Sequence, residues 1–148
     1  MVMRLNADQM RQIVRDLEPR GLTDFRIPDQ VTLPAMEGSC AGLVSASIGR
    51  GYGWFDDTLQ PHGMLVGFIL PDPFTGVKTG YEHVWWVAPE RRGAASLELL
   101  RAFENDCRAE GCRRVLFGTS SFVSEAKMLR MYRRQGYKAY GQTVAKEL

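Results

Sequence analysis

Residues 81–110, YEHVWWVAPERRGAASLELLRAFENDCRAE, constrain the fold of this chain more than any other stretch. The opening run, residues 81–87, is aromatic and β-branched, the composition of a largely buried strand. Pro89 ends it, because proline donates no ladder hydrogen bond. A basic turn follows at residues 89–93. Gly93, Ala94, Ala95 and Ser96 then open a helix that carries Leu97, Leu100, Phe103 and Cys107 at helical spacing, and Gly111 stops it. A helix start lined by small residues behind an arginine-glycine turn suits an anion: its first N–H groups have no partner within the helix, and the helix dipole favours negative charge there. A plain βα connection with two solvated arginines would carry the same residues, and turn chemistry does not separate the two readings.

Asn6 and Gln9 have the spacing of a capping box, and Met10, Ile13, Val14 and Leu17 form an apolar helical stripe that Pro19 and Gly21 end. Residues 25–34 read as a loop. A second helix is expected over residues 35–48 (Met36, Cys40, Leu43, Val44, Ile48), closed by Gly49. Residues 51–57, GYGWFDD, read as a surface loop whose aromatics cap the core. The competing reading is a pocket for a cationic acceptor, with Asp56 or Asp57 supplying charge.

Residues 64–70 (MLVGFIL) form a buried strand, residues 71–76 a turn, and residues 77–87 the return strand. Residues 113–119 are another strand. Ser121 or Ser124 caps a helix over residues 125–135 that Gly136 stops, and residues 137–146, with Gly141 at their middle, read as a final hairpin. The order αα, ββ, α, β, α, ββ predicts a single α/β domain over residues 1–148, with a mixed, largely antiparallel central sheet flanked by helices on both faces.

With 148 residues, 45% hydrophobic and 24% charged, the chain has the composition of an ordinary globular protein able to bury one core. Its net charge of +2 is too slight to argue for nucleic acid, and no reader motif accompanies its clustered arginines. Cys40, Cys107 and Cys112 match no zinc spacing, and with only His62 and His83 beside them no metal site is expected. The reading is a reduced, cytoplasmic protein without a signal pattern or an apolar run of the roughly 20 residues that a membrane helix needs.

VAPERRGAA (residues 87–95), followed by Leu99 and Leu100, resembles the acetyl-CoA pyrophosphate-binding segment of the GNAT-type N-acetyltransferase superfamily. MYRRQGY (residues 131–137) is similar to that family's L-Y-x-x-x-G-F signature, in the expected order. The resemblance covers the C-terminal half of the chain and is faint before Met64. It implies acetyl-CoA as co-substrate, direct acetyl transfer to a primary amine in a ternary complex, and an acceptor that is a small molecule or a protein amine. Homodimers are frequent in that family.

The resemblance also assigns roles. Backbone N–H groups of Arg92, Gly93, Ala94, Ala95 and Ser96 would meet the pyrophosphate with help from the Arg92 side chain, and the Val87 main chain would lie along the pantetheine arm. Alanine stands at positions 94 and 95 where the family commonly has glycine, and Ser124-Glu125 stand near where it often has asparagine. Tyr132 is the candidate general acid, since a phenol can protonate a leaving thiolate. A core tyrosine packed with Met128 and Leu129 would look the same. Glu82 is the preferred candidate base, with His83 as the other. Strand alternation groups Tyr81, His83, Trp85 and Val87 on one face and Glu82, Val84 and Trp86 on the other, unless a bulge intervenes. The alternative function is a CoA-binding module without catalysis, acting as a sensor or interaction subunit.

Overall fold

The computed structural model describes residues 1–24, 30–119, 124–141 and 146. Its first helix, α1 (Ala7–Leu17), begins as its sequence dictates. Asn6 Oδ1 accepts from Gln9 N and Gln9 Oε1 accepts from Asn6 N, both at 2.9 Å, so two amides that helix geometry leaves unpaired are satisfied reciprocally. A single turn of 3₁₀ helix and Gly21, at φ 97°, then reverse the chain.

Five strands form one sheet in the order β1–β2–β3–β4–β5. The antiparallel set is β1 (Val2–Arg4), β2 (Gly49–Phe55), β3 (Pro61–Pro71) and β4 (Lys78–Val87), and β5 (Arg114–Leu116) joins β4 in parallel. Helices α1 and α2 (Leu33–Ser45) cover one face, where Met10, Val14, Leu17 and Cys40 pack with Met64, Val66, Val84 and Trp86. Helix α3 (Ala94–Ala109) covers the other, setting Leu99, Phe103 and Cys107 against Tyr52, Leu65, Ile69 and Val87. Helix α4 (Glu125–Arg134) lies near the end of β5. The expected mixed sheet with helices on both faces is the observed one.

Two expectations are corrected in the first half. Residues 51–57 are mostly strand β2, not a surface loop, and the edge strand β1 that pairs with it is an addition. The reason is the alternation of Gly49, Gly51 and Gly53 with Arg50, Tyr52 and Trp54. A Cβ on Gly51 would fall 2.6 Å from Val44 Cγ2 and 2.7 Å from Met10 Cε, and one on Gly53 would fall 2.7 Å from Ile13 Cδ1. Glycine has low strand propensity, and here it lets two helices press onto the sheet. Helix α2 also starts and ends earlier than residues 35–48: Thr32 caps it through Ala35 N, and its last residue is Ser45.

The strand alternation expected in β4 is corrected as well. Val66 pairs with Val84 but Gly67 pairs with Glu82, so His83 is an extra residue in β4, a β-bulge. Val84 and Trp86 pack in the α1/α2 core, and Trp85 and Val87 pack on the α3 side. His83 Nε2 lies 2.6 Å from Ser39 Oγ of α2, whereas Glu82 reaches Gly118 beyond β5. Glu82 therefore shares a side with Trp85 and Val87, and His83 does not.

Toward the C-terminus β5 is shorter than residues 113–119. Ser124 caps α4 through Lys127 N at 3.3 Å, while Ser121 lies outside the described residues, as do residues 25–29 of the expected loop. Residues 137–141 carry no strand of the expected hairpin, and residues 142–145 fall outside the described residues. Among the described residues no helix is long and apolar enough to cross a membrane.

Candidate active site

Beyond Val87 the chain makes one turn of 3₁₀ helix at Pro89–Arg91 and enters α3 through Gly93. Gly93 has φ 104° and ψ −102°, yet a Cβ there would meet nothing within 4 Å. Its requirement for glycine is torsional, not steric. The first bond of α3 runs from Leu97 N to Gly93 O at 3.0 Å, and no side chain caps the helix. The N–H groups of Ala94, Ala95 and Ser96 are thus the ones that helix geometry leaves without intrahelical partners. Arg92 Nε donates to Val87 O at 3.1 Å and fastens the turn to the end of β4. Ala95 is buried, so its methyl packs inward, whereas Ala94 is exposed.

This helix start opens on a pocket of about 460 Å³ between α3 and α4. Arg92, Gly93 and Ser96 line one side, Lys127, Arg130 and Arg134 the other, with Trp85 at its inner wall. Among the described residues no carboxylate lines it. Of the six residues expected to bind a cofactor, three stand in this lining, and Val87, Ala94 and Ala95 do not. The α4 cations are not among the residues that the sequence resemblance assigns to the cofactor. Their signal was the spacing 127, 130, 134, which sets three cations along one side of a helix.

Deeper along the sheet, β4 and β5 pair only at Thr79, Gly80 and Tyr81. Beyond that register β4 runs on to Val87 while β5 ends at Leu116, so the two strands part. Gly118 sits just past the end of β5. Its N–H donates to Glu82 Oε2 at 3.0 Å, and its carbonyl accepts from the Tyr132 O–H at 2.8 Å. The bulge in β4 turns Glu82 toward this residue, and α4 brings Tyr132 to it. His83, held by Ser39 on α2, is not brought to them.

Burial raises the Glu82 carboxyl above its ordinary value, with the Gly118 N–H opposing the shift. Burial also pushes the Tyr132 phenol well up, and the neighbouring Glu82 charge adds to it. The Tyr132 ring packs among Phe117, Tyr137 and Trp85 at centroid separations of 5.4–6.1 Å. Among the described residues Trp85 Nε1 is buried without a hydrogen-bond partner. An orphaned donor of this kind costs about 1–3 kcal/mol, beside the pocket that the helix start opens on.

A family model described as Acetyltransferase (GNAT) family matches residues 13–137. No match was found among curated proteins. Among solved structures, an aminoglycoside acetyltransferase from an uncultured soil metagenomic sample is similar at 13% identity, with 100% of this chain and 97% of that one covered and a TM-score of 0.73. A ribosomal-protein-alanine N-acetyltransferase from Brucella melitensis biovar Abortus is 13% identical over 100% and 99% of the two chains, with a TM-score of 0.69. An acetyltransferase from Trypanosoma brucei is 17% identical over 100% and 99%, also at 0.69. At such identities the structural likeness is one of fold. Together with the family match across most of its length, it shows that the chain belongs to the GNAT acetyltransferase family, whose chemistry is acyl transfer.

Proposed function

We propose that this protein is an acetyl-CoA-dependent N-acetyltransferase that moves an acetyl group to a primary amine by direct transfer in a ternary complex. The observation that carries the reading is the pocket at the uncapped start of α3, lined by Arg92, Gly93, Ser96, Lys127, Arg130 and Arg134 with no carboxylate in the lining among the described residues. A phosphate-bearing acyl carrier fits that donor set, since N–H groups at a helix start and guanidinium forks both favour phosphate oxygens. Acetyl-CoA would supply an acyl group activated as a thioester.

The remaining work falls to the chain. Arg92, Gly93, Ala94, Ala95 and Ser96 hold the phosphates, and the α4 cations add charge from the opposite wall. Val87 offers its main chain toward the carrier's arm, although its carbonyl already accepts from Arg92. Glu82 is the base in this reading, because a carboxyl with a raised pKa is better matched to taking a proton from an ammonium near neutral pH. Tyr132 is the acid, its raised pKa keeping the phenol in the protonated form that can donate. His83 has no role at this centre. The acceptor is a small-molecule or a protein amine, and the metagenomic and Brucella relatives, named for aminoglycosides and a ribosomal-protein alanine, illustrate the two kinds.

The Gly118 contacts favour a second reading, a CoA-binding module without catalysis. Both candidate catalytic side chains are already engaged by Gly118, as purely structural groups would be. Titration with CoA and acetyl-CoA, followed by thiol release in the presence of an amine panel, separates the readings. Concentration-dependent stabilisation by both ligands with amine-dependent thiol release supports the enzyme. Stabilisation without release supports the module, and no stabilisation up to millimolar ligand sinks both.

A further inference from the structure

The far end of α3 carries a pair of thiols that the acyl-transfer site does not use. Gly111, at φ 77°, ends the helix in the left-handed conformation. Gly111 N donates to Arg108 O at 3.0 Å, and Cys112 N donates to Cys107 O at 2.8 Å. These two bonds make a Schellman motif, a geometry in which the side chains at its first and last positions commonly touch. In this chain both positions are cysteine.

The backbone bond sets a limit on their separation. With ordinary covalent dimensions, an N···O distance of 2.8 Å between Cys112 and Cys107 holds their Cα atoms within about 6.7 Å. A disulfide spans roughly 4.4–6.8 Å between Cα atoms. Both side chains belong to the same apolar cluster under the sheet, Cys107 within it and Cys112 packed at its margin. Gly80 of β4 makes the room: a Cβ there would lie 2.4 Å from Cys107 Sγ. Cys107 is 1% exposed and Cys112 is partly exposed, so an oxidant reaches Cys112 first.

We propose that Cys107 and Cys112 form a reversible intramolecular disulfide, which makes this helix end a site of thiol oxidation by hydroperoxides. The Cys112 thiolate attacks one peroxide oxygen; the O–O bond breaks, Cys112 becomes a sulfenic acid, and the other oxygen leaves as alcohol or water after taking a proton. The Cys107 sulfur then attacks the Cys112 sulfur. The S–S bond forms, the S–O bond breaks, and the hydroxyl departs as water with the Cys107 proton. Two thiols lose two electrons and two protons, and the hydroperoxide is reduced to an alcohol or water plus water. Burial, with the Cys112 thiol as a lesser contributor, pushes the Cys107 thiol up to about 12, so Cys107 serves as the resolving partner and not the attacking one.

Cys40 provides an internal control. It packs in the α1/α2 core across the sheet from Cys107, its thiol directed at Met36 Sδ 3.8 Å away, and it has no route to either partner.

The test treats the folded full-length protein with hydrogen peroxide, followed by intact-mass measurement, thiol counting and non-reducing peptide mapping. The expected product weighs less by two hydrogen atoms and keeps one free thiol of the three cysteines. Its map joins the peptides bearing residues 107 and 112, and dithiothreitol restores the starting mass. Cys112→Ser abolishes the cross-link, and Cys40→Ser leaves it unchanged. Because Cys107 stands in the core, where misfolding of Cys107→Ser would mask the readout, Cys112→Ser and the wild-type map carry the decision. Oxygen addition at Cys112 without a cross-link, a disulfide joining two chains, or three free thiols after prolonged exposure would each overturn the proposal.

Discussion

Strands β3 and β4 stay paired from Gly63 with Val87 to Pro71 with Lys78, whereas β4 and β5 hold together at three positions and then part. The first region is closed by glycines: Gly67 of β3 and Gly51 and Gly53 of the adjoining β2 give up side chains so that Phe103, Met10, Val44 and Ile13 can fill the space above them. The second is held by polar groups, with Gly118 taking Glu82 at its N–H and Tyr132 at its carbonyl. One half of the sheet spends its residues on close approach, and the other keeps titratable groups where strand pairing has ended. Packing accounts for the closed half. The open half carries a half-buried carboxyl, a buried phenol and an indole N–H that has no partner among the described residues, which packing alone does not favour.

The sharpest way to break this contrast is Gly49→Ala. A Cβ there would fall 1.7 Å from the Leu43 carbonyl oxygen, a backbone atom that cannot move aside without shifting α2. A loss of about 3 kcal/mol in urea unfolding is expected; a loss under about 1 kcal/mol would show that the closed half tolerates strain. At the open junction Glu82→Gln and Tyr132→Phe should each lower acetyl transfer by about 10²-fold with the fold retained, the low end for removing a general acid or base. Unchanged turnover in both variants would leave them as structural groups.

Glu82→Gln also has a pH signature. Because the folded carboxyl has a raised pKa, the protonated form is the more stable when folded. The stability it contributes is complete below the unfolded value of 4.5 and is lost as pH rises through the folded value. The variant should therefore show a flatter stability profile above pH 4.5 than the wild type, read from unfolding midpoints across pH. A parallel profile would mean that the carboxyl is not desolvated.

Smaller effects are expected at the pocket. Arg130→Ala and Arg134→Ala should each weaken CoA binding by about 10-fold and reduce its dependence on salt, as loss of a charge-assisted contact would. Calorimetric titration at two ionic strengths reads both. Gly93→Ala should cost about 1–2 kcal/mol, since its conformation at φ 104° is unfavourable for any residue with a Cβ although the space is empty. Set beside Gly49→Ala, it separates a glycine required by torsion from one required by contact.

The local features were legible because each is written within a few residues. The Asn6–Gln9 capping box, the proline that ends β4, Gly93 before α3 and the Ser124 cap all depend on neighbours three or four positions away. The segment at residues 87–95 and the one at residues 131–137 were legible for the same reason, and they sufficed to name the family that the match over residues 13–137 then showed. Strand β2 was not legible, since its glycines carry no strand signal and their purpose lies in contacts with side chains of other elements, Val44 of α2 and Met10 and Ile13 of α1. The placement of Glu82 depended on a bulge that only the pairing of β4 with β3 reveals.

What the sequence by itself determined was the α/β class, the order of elements from β3 through α4, and the residue types able to move a proton. Only the tertiary structure decided which of those residues meet. It sent His83 to Ser39 on α2, brought Glu82 and Tyr132 to Gly118, and turned three α4 cations toward the start of α3. The physical reason is that capping and turns are satisfied by short-range hydrogen bonds, whereas the side of a sheet on which a side chain stands is set by strand register, and register is fixed by partners far along the chain.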